Sequence, residues 1–194
     1  MPASGGPFSP DHQQELLTAN VRAKKIRKAA VMAAFNGWTL AVFATVSLPF
    51  SLWSWSARLL EIGLIVVAYN EFRGRNGLRR FDPAATALLG WNQLGLWAVL
   101  VGYSVWSIAE ALIMPNPYEQ ALGADPELAG SMLGSIGDLY RAITLAVYGG
   151  MIFGTTLMQG WNAWYYFSRR EHVEAYLNAT PAWVLDVQRT AWTS

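Results

Sequence analysis

The chain has no cysteine, only two histidines and little charge: 14% of its 194 residues are Asp, Glu, Lys or Arg. Without a thiol there is no disulfide, no cysteine-ligated metal, no iron–sulfur cluster and no thiol nucleophile. His12 lies in a polar N-terminal stretch and His172 just beyond the last apolar run. Two such residues do not make the histidine-rich metal box of a membrane oxygenase. A glycine-rich phosphate loop, a G-x-S-x-G elbow and an H-E-x-x-H pair are also missing. No catalytic residue, metal site or cofactor is therefore expected, and a lipid-acting membrane enzyme ranks behind every non-enzymatic reading.

What the chain does have is apolar sequence in long blocks. Hydrophobic residues make up 53%, with ten Trp and eight Tyr. That is too apolar and too blocked for an ordinary soluble domain. Amphipathic aromatics gather where hydrocarbon meets water. The sequence predicts an all-α integral membrane protein, a four-helix bundle with an amphipathic C-terminal helix. Spans are expected at about 29–48, 57–72, 88–114 and 139–167. Twenty residues at about 1.5 Å each cover a hydrocarbon core of about 30 Å.

The stretch from Tyr69 to Gln93 sets the topology. It holds Arg73, Arg75, Arg79 and Arg80. It reads as a short polar hairpin, with helix broken at Gly74, Asn76-Gly77 and Asp82-Pro83, and Asp82 capping the approach to the third span. Four arginines beside a span mark the cytoplasmic side. Twelve Lys and Arg then fall inside and two, Arg58 and Arg141, outside. Both termini are expected in the cytoplasm, with anionic lipid headgroups, not nucleic acid, as partners of the four arginines. The simplest compartment is a prokaryotic plasma membrane, since no competing targeting signal stands out.

Residues 1–28 read as a cytoplasmic arm, basic at its end, with a surface helix at Pro10–Ala19 the only order foreseen. The basic run before the first apolar run resembles a signal peptide in outline. The apolar run is long for one and lacks a small-residue cleavage site, so a retained span is expected. Pro49 is taken to end that span. Residues 115–138 form an acidic outer loop with a helical turn or two around Leu128–Ile136. Residues 169–194 form the cytoplasmic tail. There Thr180-Pro181 starts a helix, with Trp183, Val184, Val187 and Ala191 at helical spacing. It is expected to lie on the membrane or dock on a soluble partner. The two hairpins share aromatic and arginine-rich ends, a likeness that membrane physics or a tandem duplication would both produce.

Three groups of residues are candidates for function. Small residues recur every fourth position at Ala142, Ala146, Gly150 and Gly154, and again through Ala33, Gly37 and Ala41. Such stripes let helices approach closely, either within the bundle or at an oligomer seam. Carboxamides lie near the inner ends of all spans: Asn36, Asn70, Asn92, Gln93, Gln159 and Asn162. They suit a shared hydrogen-bonded layer or a pocket for a polar ligand. Lastly, charges within spans are costly and are functional suspects. Here they are Arg58 and Glu61, which share a face of the second span, Glu110 and Arg141 near the outer ends of the third and fourth, and Glu71 at the inner end of the second. The first four are expected either to pair as a mixed cluster or to serve ion coupling through Glu61. The preferred function is a scaffold or accessory subunit of a membrane complex, as a homo-oligomer or with a partner protein. The alternative is a small oligomeric transporter or channel for a polar or cationic solute.

Overall fold

The computed structural model of the chain describes residues 9–52, 54–114 and 133–193. The described residues form five helices: α1 Pro10–Ser51, α2 Trp55–Arg79, α3 Ala84–Ile113, α4 Leu133–Ala179 and α5 Ala182–Thr193. The expected outer loop lies outside the described residues up to position 132, and from Leu133 the chain is already helical.

The helices run much further than their apolar blocks. α1 begins at the Ser9 cap, whose hydroxyl accepts the His12 N–H, with Pro10 in its first turn. It continues without a break through the basic run, so residues 10–28 are helix and not a loose arm. One face of that stretch is alanine and isoleucine: Ala19, Ala23, Ile26, Ala29, Ala30 and Ala33 are all buried. Pro49 sits inside the last turn and does not end the helix. α4 likewise passes through Ser168-Arg169-Arg170 and ends only at Ala179. At 42 and 47 residues, α1 and α4 are about 63 and about 70 Å long. Each is roughly twice the depth of a hydrocarbon core.

The turn between α2 and α3 is shorter than the sequence implied. Gly74, Asn76 and Gly77 are all helical, and the reversal takes only Arg80 to Pro83. Glycine inside a helix costs about 1 kcal/mol by propensity, but these glycines are where α3 comes closest. A Cβ on Gly74 would sit 2.4 Å from Leu89 Cγ, and one on Gly77 2.6 Å from Ala85 Cβ. The close packing of α2 on α3 outweighs the propensity. α2 ends in a Schellman motif: Asp82 N–H bonds the Gly77 carbonyl at 3.0 Å and Phe81 N–H the Leu78 carbonyl at 3.1 Å. Asp82 then turns to α3, its carboxylate accepting the Ala84 N–H at 2.9 Å.

The long helices pack antiparallel in sequence. Ser47 and Gly37 of α1 meet Glu61 and Glu71 of α2. Gly63 and Gly74 of α2 meet Val99 and Leu89 of α3, and Gly90 and Trp97 of α3 meet Phe167 and Thr156 of α4. α4 returns to α1 at its far end, where the Ala179 carbonyl accepts from Arg22 and Asn36 donates to Tyr166. The main hydrophobic core is gathered at one end, the one bearing the α2–α3 turn. It joins Ile26, Leu78, Phe81, Leu89, Tyr166 and Val173. Three helices, α1, α3 and α4, are long and apolar enough to cross a membrane. Their most apolar windows are little covered: 28%, 17% and 6% buried respectively.

α5 corrects the expectation of a free tail. It folds back onto the same end and is tied down there. Val184 is fully buried, the Trp183 indole donates to Glu15, Gln188 donates to Asn20, and Arg189 donates to the Arg80 carbonyl. Its helical start falls one residue later than expected, with the Pro181 carbonyl accepting from Val184 and Leu185. Of the face expected to meet a membrane or a partner, Val184 is buried and Trp183 half-buried against the chain, while Val187 and Ala191 stay exposed.

Candidate functional site

Four helix segments place a polar layer just above the packed end. On α2, the buried positions Val67, Glu71, Gly74 and Leu78 recur every three or four residues, so Glu71 occupies a position on the core face. It is wholly buried. Asn92 and Gln93 of α3 both donate to its Oε1, at 2.8 and 2.7 Å. Asn92 also donates to the Val67 carbonyl at 2.9 Å. Tyr166 of α4, also wholly buried, receives the Asn36 amide of α1 at 3.3 Å. Glu71 Oε2 has no hydrogen-bond partner among the described residues. One carboxylate thus gathers two carboxamides, and α1, α2, α3 and α4 are linked within one or two turns.

Of the expected amides, Asn36, Asn92 and Gln93 belong to this layer. Asn70 and Asn162 are half-buried outside it, and Gln159 Oε1 is buried without a partner. The centre of the layer, Glu71, was noted from the sequence only as a charge at the inner end of the second span, and the Tyr166 hydroxyl was not singled out. The signal was there: Glu71 falls on the stripe of small and apolar residues that runs along α2. A carboxylate on an apolar stripe, with two amides one helix away, marks such a layer.

The charges near the other end are not brought together. Among the described residues Arg58 pairs with no acid. It reaches back to the Leu52 carbonyl at 2.8 Å and lies 5.0 Å over the Trp55 ring. Glu61 turns to α1, where the Ser47 hydroxyl donates to its Oε2 at 2.6 Å. Glu110 is exposed and lines a cleft of about 240 Å³ with Tyr103, Ser107, Tyr140 and Tyr148. Arg141 is exposed. The expected pairing of Arg58 and Arg141 with Glu61 and Glu110 does not form.

The two small-residue stripes part ways. On α1, Ala29, Ala33 and Gly37 are buried, and a Cβ on Gly37 would come within 3.2 Å of Glu71 and Phe72. On α4, Ala142, Ala146 and Gly150 are exposed, and nothing lies within 4 Å of a Cβ placed on Gly150 or Gly154. The α1 stripe packs within the chain; the α4 stripe faces outward.

At the packed end, two of the four arginines of the turn region, Arg73 and Arg80, border an open cleft of about 560 Å³. Arg73, Arg80, Tyr69 and Asn76 line it, with Asp82 at its edge. Other basic groups there are engaged: Arg22 with the Ala179 carbonyl, Lys25 with His172 at 2.9 Å, and Arg170 with Glu174 at 2.8 Å.

Together these features define an all-α protein with three helices fit to cross a membrane and a polar, basic end. In comparison with known proteins, no family model, curated protein or solved structure matches the chain.

Proposed function

We propose that the chain is a multi-pass membrane protein that works by association, as a scaffold or accessory subunit of a membrane complex. In this reading all four long helices cross the bilayer as a four-helix bundle, with both termini on the cytoplasmic side of a prokaryotic plasma membrane. α2 is the least apolar of the four, yet its 25 residues are about 37 Å long, enough to cross. Its inward carboxylates, Glu61 and Glu71, are both buried against neighbouring helices. The basic groups at the packed end fit the positive-inside rule. The cleft at Arg73 and Arg80, beside Arg75 and Arg79, fits the headgroup of an anionic lipid.

The observation that carries the associative reading is the outward face of α4. Ala146, Gly150 and Gly154 form a stripe that no described residue covers, on the helix whose apolar window is the least buried of the three. Without a hydrophobic drive in lipid, a stripe of small residues gains by van der Waals packing against another helix. The test is native mass spectrometry of gently extracted protein, wild type against Gly150→Leu with Gly154→Leu. A discrete homo-oligomer, or a stoichiometric second protein, is expected for the wild type and should be lost in the variant. Unchanged assembly in the variant would remove the stripe from the interface.

A further inference from the structure

A groove of about 260 Å³ opens on the flank between α1 and α2, lined by Ala41, Ala44, Leu48, Ile65 and Ala68. Its one ionisable residue is Glu61, only 4% exposed. Ser47 supplies a single hydrogen bond to Oε2, and Oε1 has no partner. No cation answers this carboxylate among the described residues. Arg58, one turn earlier on α2, is exposed and bonded toward Leu52 and Trp55. The stretch of α1 facing Glu61, residues 41–48, has no titratable group. On α3, which packs on the other side of α2, the nearest titratable residue in register is Tyr103, whose ring meets Tyr148 of α4.

An ionised carboxylate with one donor in an apolar wall is costly. A cation whose apolar part fills the groove relieves that cost. We propose that the α1–α2 groove is a binding site for a lipophilic organic cation, a quaternary ammonium carrying an aryl or alkyl group, with Glu61 as its counter-ion. The groove supplies both halves of that recognition, an aliphatic wall for the hydrocarbon and one carboxylate for the charge. Ser47 holds the carboxylate in place. The site is separate from the α4 face, so it stands or falls independently of the associative function.

The experiment is isothermal titration of benzyltriethylammonium into the full chain in detergent. Wild type is expected to show saturable binding. Glu61→Gln keeps the shape and removes the charge, and should weaken binding by about tenfold or more. Thr45→Phe, at an exposed rim position of the same groove, keeps the carboxylate, narrows the space and should also weaken it. Glu110→Gln, in the other cleft, should bind as wild type does. Circular dichroism and gel filtration establish that each variant is folded. Equal binding by Glu61→Gln and wild type, or no saturable binding by wild type above the detergent background, would overturn the proposal. So would equal loss in Glu110→Gln.

Discussion

Phe81 holds a left-handed backbone, φ 58°, and lays its buried ring against Tyr176, with centroids 4.7 Å apart. It occupies the position of the α2 Schellman motif where glycine is usual. A side chain there costs about 1–2 kcal/mol. The ring offsets this because it closes the packed end from the turn side, joining α2 to α4 beneath α5.

This juxtaposition predicts an unusual order of stability. Phe81→Ala loses the ring and keeps the strain; Phe81→Gly loses the ring and releases the strain. Both should lower the thermal midpoint, since truncating a buried Phe costs about 3–5 kcal/mol. Glycine should be the milder of the two by about 1 kcal/mol, the reverse of their order inside a helix. A melting series in detergent checks this. Alanine equal to or more stable than glycine would contradict the strain.

The polar layer predicts coupling between Gln93 and Glu71. Gln93→Leu removes a donor from a buried carboxylate, a loss of about 1.5–3 kcal/mol for a hydrogen bond to a charged group. Glu71→Leu alone leaves Gln93 without its acceptor, while Asn92 keeps the Val67 carbonyl. The double variant should therefore cost less than the sum of the two. A double-mutant cycle on unfolding free energy measures the coupling, and strict additivity would show that the pair does not act as a unit.

Tyr176 predicts a dependence on alkaline pH. Burial pushes its hydroxyl above the usual tyrosine value, and the hydroxyl donates to Gln188 of α5. A raised folded value means that the neutral form is favoured by folding. That contribution is fully present below the unfolded value of about 10. It falls as pH climbs past it and is gone above the folded value. Wild type should lose more stability than Tyr176→Phe between about pH 9 and about pH 11. Equal losses would show that Tyr176 does not titrate differently in the two states.

Much of the helical content was legible in the sequence, because runs of apolar residues and capping signals act locally. The long apolar helices α1, α3 and α4, Pro10 at a helix start and Asp82 capping α3 follow from chemistry within a few residues. So does the clustering of arginine around the α2–α3 turn. Helix ends were less legible. Gly74, Asn76-Gly77 and Ser168-Arg169-Arg170 all read as breaks, and all lie in continuous helix. The contact that overrides them is distant in sequence: Leu89 against Gly74, or α5 against the ends of α1 and α4.

The sequence by itself determined composition-driven properties: helices, their apolar middles, and one strongly basic side. Only the tertiary structure decided which polar groups meet. It set Glu71 against Asn92 and Gln93, parted Arg58 from Glu61, turned the α4 stripe outward and folded α5 onto its own chain. The physical reason is rotation about each helix axis. A helix presents a given side chain to one neighbour only. Which neighbour stands there is fixed by close approaches such as Gly37 on Glu71 and Gly90 on Phe167, which no local pattern reveals.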